Sequence, residues 1–182
     1  MHAAAAGSVV VFGSSRVAPG SPVYREALAL GRALAERGVE VRCGGYGGAM
    51  EAVSRGAREA GGRVVGCTLS WPGEVRGPNE WLTEVLPSPS LDARVTALLG
   101  GTRAAIVLHG GVGTLNEMLW TWTLLLHGVE PHRRLVLLGP AYGELMEFLA
   151  ARFEVDGAAR ALLRVVGSVE EAVAIACGGA AR

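Results

Sequence analysis

The chain has 182 residues, of which 50% are hydrophobic, and its 17 basic and 17 acidic side chains give a formal net charge of zero. Because no basic excess is available to neutralise phosphates, nucleic acid is not an expected partner. All 17 basic residues are arginines, so the sequence supplies neither the lysine of a pyridoxal Schiff base nor that of a nucleotide-binding P-loop.

The length of the chain fits one domain with its own core, and we expect residues 1–182 to form it. The three cysteines, Cys43, Cys67 and Cys177, are odd in number and lack the spacing of metal ligands, which predicts reduced thiols and no metal site. No apolar run approaches the ~20 residues of a membrane span, and residues 1–6 lack the basic start of an export signal. We therefore expect a cytoplasmic protein that does not enter a membrane.

Short apolar runs alternate along the chain with longer stretches whose apolar residues recur at helical spacing. The alternation predicts strands at residues 8–12, 39–43, 63–69, 104–108, 134–138 and 163–166, and helices at 23–37, 49–60, 91–99, 114–126, 142–153 and 169–176. Residues 71–89 are rich in proline and glycine, and they favour an irregular excursion beside a pocket and a disordered surface loop about equally. The predicted fold is α/β, Rossmann-like and doubly wound, with a mainly parallel sheet and helices on both faces.

Three turns rich in glycine or serine follow predicted strands, at residues 13–15, 44–48 and 109–114. Glycine lets the backbone approach a ligand closely, and a helix start presents free N–H groups to an anion. One such turn is as well explained by a tight strand-to-helix connection, but three at strand ends favour a phosphorylated small molecule. The predicted substrate-binding residues are Gly13, Ser14, Ser15, Gly45, Gly48, Gly110, Gly111, Gly113 and Thr114.

Glu117 stands three residues after Thr114, so it can close a capping box with Thr114 at the start of a helix. The other interpretation is catalytic, because a carboxylate beside a bound sugar phosphate can stabilise an oxocarbenium-like centre or activate water. Arg94, considered alone, is explained as a solvated charge on a helix, and His109 as a loop histidine. The sequence around His127 and His132 indicates no functional role for either residue.

The predicted helix at residues 114–126 carries more apolar side chains than one buried face needs. The residues concerned are Trp120, Trp122, Leu124, Leu125 and Leu126. Core packing or a subunit interface explains them better than stacking on a ligand. We therefore predict a homodimer formed through this helix.

Taken together, these motifs resemble the LOG (lonely guy) family, the cytokinin riboside 5'-monophosphate phosphoribohydrolases, which also carry the older name of lysine decarboxylases. The family motif Pro-Gly-Gly-x-Gly-Thr-x-x-Glu is matched from His109 to Glu117, except that His109 stands in place of proline. The early Gly-Ser-Ser loop matches residues 13–15, the glycine stretch matches residues 44–50, and the arginine of the family falls on Arg94. Val95 replaces a basic residue, and residues 91–92 replace a common Met-His pair.

The resemblance implies that Arg94 and Glu117 form a catalytic pair and that the glycine loop with Thr114 holds phosphate and ribose. It implies hydrolysis of the N-glycosidic bond of a nucleoside 5'-monophosphate, AMP or prenylated AMP, in a homodimer and without a cofactor. A carrier that binds a nucleotide or cofactor in the same fold is the alternative. A pyridoxal-dependent decarboxylase is disfavoured because the chain has no lysine.

Overall fold

The computed structural model describes residues 7–129 and 133–178. Over these ranges the strands are β1 (Ser8–Phe12), β2 (Glu40–Cys43), β3 (Val64–Leu69), β4 (Glu84–Ser88), β5 (Thr102–Val107), β6 (Arg134–Leu138) and β7 (Leu163–Val166). The helices are α1 (Pro22–Glu36), α2 (Ala49–Glu59), α3 (Leu91–Leu99), α4 (Val112–Leu126), α5 (Pro140–Arg152), α6 (Gly157–Arg160) and α7 (Val169–Ala176). The seven strands form one sheet in the order β4-β3-β2-β1-β5-β6-β7. Every neighbouring pair in it is parallel, which confirms the predicted fold class.

Helices cover both faces of the sheet. Successive side chains of its central strands point to opposite sides and therefore contribute to two different cores. Val9 and Val11 of β1 pack into a core shared with α1, α2 and α7, whereas Val10 and Phe12 pack into a second core shared with α3, α4 and α5. All five residues of β1 are buried. Such a strand has an uninterrupted apolar sequence, as parallel strands between two helical layers do.

The sequence prediction missed two elements. Residues 71–89 were predicted to be irregular, but their last part forms β4, which pairs with β3 at the edge of the sheet. Pro87 made this strand hard to predict, because a proline argues against a strand except at the edge of a sheet, where β4 lies. The four-residue helix α6 was also missed; Asp156 caps it by accepting a hydrogen bond from the Ala159 N–H at 2.7 Å.

The strand order reverses at β1, and this reversal creates the crevice in which open α/β sheets bind ligands. The chain proceeds from β1 through β2 and β3 to β4 on one side, and α3 then returns it to β5 on the other side of β1. The loops that follow β1 and β5 therefore diverge at the carboxyl edge of the sheet.

Two glycines allow α1 and α2 to cross in backbone contact. A Cβ atom on Gly31 would overlap the Val53 carbonyl oxygen, and one on Gly56 would overlap the Leu28 carbonyl oxygen. The Ala49 N–H donates to the Ser14 carbonyl at 2.9 Å. The start of α2 is thereby held against the loop after β1.

Residues 1–6, predicted not to form an export signal, and His132 lie outside the described residues. Among the described helices, none combines the length and apolar character needed to cross a membrane.

Candidate functional site

A cleft of about 470 Å³ opens at the carboxyl edge of the sheet, over the switch point. Eight of the residues predicted to form a site line it: Gly13, Ser14, Ser15, Arg94, Gly111, Gly113, Thr114 and Glu117. The other lining residues are Arg16, Tyr46, Met50, Leu69, Arg76, Leu91 and Val112. Loops that are far apart in the sequence thus converge as predicted.

The cleft contains a buried ion pair between Arg94 and Glu117. Arg94 Nη1 lies 3.3 Å from Glu117 Oε1, and the two side chains are only 11% and 13% exposed. Arg94 also donates from Nε to the Cys67 carbonyl at 2.7 Å and from Nη2 to the Gly44 carbonyl at 3.2 Å. Arg94 is therefore not the solvated helix charge that its sequence position alone indicated.

Burial raises the pKa of Glu117 to about 7, although the positive charge of Arg94 acts in the opposite direction. Desolvation disfavours the charged form of a carboxyl group, and this effect outweighs the ion pair here. A carboxyl group with a pKa near neutrality can accept or release a proton at physiological pH, as general acid–base catalysis requires.

The capping box between Thr114 and Glu117 does not form. Helix α4 starts two residues earlier than predicted, with Gly111 at its N-cap, so Thr114 lies inside the first turn. Glu117 turns instead towards Arg94. The capping interpretation of Glu117 is therefore wrong, and its carboxylate lines the cleft instead.

The N-terminus of α4 presents open backbone to the cleft. A Cβ atom on Gly111 or Gly113 would meet no protein atom within 4 Å. Free N–H groups and the positive end of the helix dipole make such a terminus suitable for an anion. Ser14 and Ser15 line the same cleft from the loop after β1.

Three predicted substrate-binding glycines do not line the cleft: Gly45, Gly48 and Gly110. Gly45 and Gly48 have φ values of +79° and +68°, in the left-handed region that favours glycine. A Cβ atom on Gly48 would lie 2.5 Å from the Ser14 carbonyl oxygen, and one on Gly110 would overlap Thr114. These glycines shape the loops around the cleft.

Gly44, which was not predicted to belong to the site, makes room for Arg94. A Cβ atom at this position would overlap Arg94 Nη2 and would lie 2.5 Å from the sulfur of Met50. The glycine repeat at residues 44–48 was visible in the sequence, but the side chain that needs the space is 50 residues away.

Arg76 enters the cleft from the irregular segment between β3 and β4. Its guanidinium carbon lies 4.3 Å from the centre of the Tyr46 ring, and Arg94 lies 5.7 Å from the same centre. Glu74 accepts hydrogen bonds from Arg76 Nε at 2.8 Å and from Nη2 at 2.6 Å. These bonds lower the pKa of Glu74 to about 2.

The same segment is tied to the glycine turn after β2. The Tyr46 hydroxyl accepts from the Leu69 N–H at 2.8 Å, and Asn79 donates to the Tyr46 carbonyl from Nδ2 at 3.0 Å and to the Gly45 carbonyl from its backbone N–H at 2.8 Å. An irregular excursion beside a pocket is therefore the correct interpretation of residues 71–83, and a disordered loop is not. Its proline, glycine and tryptophan content was the only signal in the sequence.

His109 is exposed and lines a different cavity, of about 330 Å³, between α1 and α5. Glu26 and Tyr142 line that cavity as well, and the Tyr142 hydroxyl donates to the Leu108 carbonyl at 2.7 Å. His109 does not line the cleft that holds Glu117. The loop position of this histidine agrees with its interpretation from sequence.

The apolar side chains of α4 divide between the core and the surface. Trp122 and Leu125 are buried, and the Trp122 indole donates to the Ala159 carbonyl at 2.9 Å. Core packing is therefore the correct interpretation of Trp122 and Leu125, and a place in a subunit interface is not. Four apolar residues form the exposed face of α4: Val112, Leu119, Trp120 and Leu126.

The fold and the cleft define a Rossmann-like protein whose site lies at the switch point of its sheet. The family described as "Possible lysine decarboxylase" matches residues 50–176, which is more than half of the chain. The protein belongs to this family, the LOG family that its motifs resemble.

Curated relatives match parts of the chain. "Probable cytokinin riboside 5'-monophosphate phosphoribohydrolase" of Oryza sativa subsp. japonica is 40% identical over 104 residues, which are 54% of this chain and 42% of the relative. "Pyrimidine/purine nucleotide 5'-monophosphate nucleosidase" of Escherichia coli (strain K12) is 29% identical over 126 residues, 64% of this chain and 28% of the relative. The chain thus spans less than half the length of these relatives.

Solved structures match almost the whole chain. The X-ray structure of TM1055 has a TM-score of 0.70 and 31% identity, and the match covers 92% of this chain and 96% of that chain. The molybdenum cofactor carrier protein from Chlamydomonas reinhardtii has a TM-score of 0.71 and 20% identity, with 96% and 98% covered. At 20% identity, the similarity to the carrier protein shows only that the two proteins share a fold.

Proposed function

We propose that this protein hydrolyses the N-glycosidic bond of a nucleoside 5'-monophosphate, releasing the free base and ribose 5-phosphate. AMP and prenylated AMP are the first substrates to test, because the resemblance to the LOG family implies them. One observation carries the proposal: a buried carboxylate–guanidinium pair, Glu117 and Arg94, lines the same cleft as an open helix N-terminus.

The phosphate of the substrate would lie at the start of α4, against Gly111, Gly113 and the loop serines. Glu117 follows Gly113 by about one helical turn, which places its carboxylate near the sugar. There it would stabilise positive charge as the bond between the anomeric carbon and the base breaks, and it would accept a proton from the attacking water. The proton leaves with the base, so one water molecule is consumed for each base released.

Arg94 would keep the Glu117 carboxylate in position through the 3.3 Å contact. Its remaining bonds run to the Cys67 carbonyl within β3 and to the Gly44 carbonyl in the turn after β2, and both fix the guanidinium. A group held by several partners stays oriented without reorganisation at the moment of reaction. Arg94 therefore acts in this proposal by orienting the carboxylate or the nucleotide.

The alternative is a carrier that binds a nucleotide or cofactor without cleaving it. The fold likeness to a molybdenum cofactor carrier is compatible with it, but a carrier has no need for both members of a buried carboxylate–guanidinium pair in its cleft. Lysine decarboxylation through a pyridoxal Schiff base is not proposed, because the chain contains no lysine to form the aldimine.

The deciding experiment incubates purified protein with AMP, prenylated AMP, IMP, GMP, CMP and UMP, and separates released bases by chromatography. Ribose 5-phosphate should appear in equal amount with the base. Tight binding of a nucleotide with no base released from any of the six would refute the hydrolase and favour the carrier.

We also propose that the protein is a cytoplasmic, single-domain homodimer, joined through the exposed face of α4. Trp120 is 44% exposed and Leu126 is 56% exposed, and a helix that exposes several large apolar side chains is a candidate interaction surface. Light scattering should give the mass of a dimer for the wild type and of a monomer for Trp120→Glu. A monomeric wild type at all concentrations tested would contradict the proposal.

A further inference from the structure

Arg76 lines the cleft from the side of β2 and β3, whereas the proposed phosphate position at the start of α4 follows β5. Arg76 follows β3 and its stacking partner Tyr46 follows β2, whereas the glycine turn at the start of α4 follows β5. Two strands, β2 and β1, separate β3 from β5 in the sheet. The Tyr46 ring connects Arg76 to the ion pair, because its centre is 4.3 Å from the Arg76 guanidinium and 5.7 Å from that of Arg94, which pairs with Glu117. With the phosphate at α4 and the sugar at Glu117, a base that extends towards Tyr46 would meet Arg76.

The guanidinium of Arg76 is held in one orientation. Glu74 engages Nε and Nη2, the Tyr46 ring lies against the guanidinium, and the Tyr46 hydroxyl donates to Glu74 at 3.4 Å. An arginine carries five N–H donors in a fixed fork. Over the described ranges, Glu74 accepts from Nε and Nη2, no acceptor is bonded to Nη1, and the side chain is 52% exposed. The outer edge, formed by Nη1 and Nη2, therefore offers parallel donors to an occupant of the cleft.

Such a pair of donors matches one class of base. A 6-oxopurine presents two adjacent acceptors, N7 and O6, which a guanidinium binds in bidentate fashion. Adenine presents an acceptor at N7 but a donor at N6, so one N–H of the fork would face another N–H. We propose that Arg76 selects the base and favours inosine and guanosine 5'-monophosphates over AMP. This inference rests on the proposed function and narrows its substrate class.

IMP and AMP form a matched pair of probes, because they differ at the purine 6-position and share sugar and phosphate. We expect calorimetric titration of the wild type to show about tenfold tighter binding of IMP, the discrimination typical of a good bidentate contact. Arg76→Gln should abolish this preference or reverse it, since an amide offers one donor and one acceptor and suits adenine. Arg152→Gln, on the exposed end of α5 and outside the cleft, is the control and should leave both affinities unchanged.

Ribose 5-phosphate separates a base contact from a phosphate contact. Its affinity should be the same in the wild type and in Arg76→Gln. An equal loss of ribose 5-phosphate and IMP binding would show that Arg76 holds the phosphate, which overturns the inference. Equal affinities of the wild type for IMP and AMP would also overturn it.

The two proposals fail in different ways. If the wild type binds IMP in preference to AMP and Arg76→Gln removes the preference, base selection stands even if no base is ever released. If bases are released from AMP and IMP at equal rates and equal affinities, the hydrolase stands and base selection by Arg76 is refuted.

Discussion

Glu117→Gln is the substitution that tests the chemistry of the cleft most directly. The amide keeps the size of the side chain and an oxygen that can accept from Arg94, but it removes the negative charge. We expect turnover to fall by about a hundredfold or more, since loss of one well-placed electrostatic group costs roughly 3 kcal/mol in the transition state. Nucleotide affinity should change little, because the carboxylate acts mainly on charge that develops during the reaction.

The pH dependence of turnover follows from the same carboxyl group. Its pKa of about 7 predicts that the rate of the wild type rises with pH to a plateau, with a midpoint near 7, because the reaction uses the ionised form. Well below the midpoint the rate should fall tenfold per pH unit. The residual activity of Glu117→Gln should lack this limb.

Stability should depend on pH in the opposite sense. A carboxyl pKa that is higher in the folded state than in the unfolded state makes the folded state bind the extra proton, so stability falls as pH rises between the two values. The rise of the Glu117 pKa from the ordinary value of 4.5 to about 7 corresponds to a decrease of about 3 kcal/mol in the free energy of unfolding. This decrease is absent below pH 4.5 and complete above pH 7.

Urea unfolding of the wild type and Glu117→Gln at pH 5, 6, 7 and 8 measures this loss. The free energy of unfolding of the variant, relative to the wild type, should increase from pH 5 to pH 8. Glu170→Gln, at an exposed position on α7, is the control and should give a flat difference. If the difference in free energy of unfolding between Glu117→Gln and the wild type does not change with pH, the raised pKa of Glu117 is refuted. If Glu117→Gln turns over at the wild-type rate, Glu117 has no role in the reaction.

Three further predictions concern glycines. Gly113→Val should abolish nucleotide binding while the circular dichroism spectrum and melting temperature stay near those of the wild type, because a side chain there meets open cleft and no protein atom; undiminished AMP affinity would place the phosphate elsewhere. Gly44→Ala should lower turnover more than tenfold by displacing Arg94, whereas Gly167→Ala, with open space around it, should not; equal rates would contradict the role of Gly44. Gly48→Ala should lower the free energy of unfolding by about 1–3 kcal/mol in urea, because of its positive φ and its approach to the Ser14 carbonyl; a stability equal to that of the wild type would show that the loop relaxes freely.

The alternation of strands and helices was predictable because each buried strand and each amphipathic helix carries its own period. That signal fails where a strand is exposed and short of apolar residues. In β4, exposure alternates, and Pro87 stands within the strand, so only its pairing with β3 identifies it. The boundary of α4 was misplaced because Gly111 caps the helix without a side chain.

The candidate site was predictable where a motif is local in sequence. The turns at residues 13–15 and 109–114 met in one cleft as expected. Which glycine serves which purpose was not predictable, because the atom that fills the missing Cβ position comes from elsewhere in the chain; Gly44 faces Arg94, and Gly45 faces Thr68. Arg76 was missed for the same reason, since its stacking on Tyr46 exists only after β2 and β3 are paired.

The four contacts of Arg94 have a consequence for inhibitor design. Its guanidinium donates to a carbonyl within β3 and to one in the turn after β2, pairs with α4 through Glu117, and lies near the Tyr46 ring. The folded chain has therefore already fixed the positions of these groups before any ligand arrives. A rigid compound shaped to this arrangement would bind without the entropic cost of ordering the receptor, and stiffening the ligand would increase affinity more than adding contacts to it.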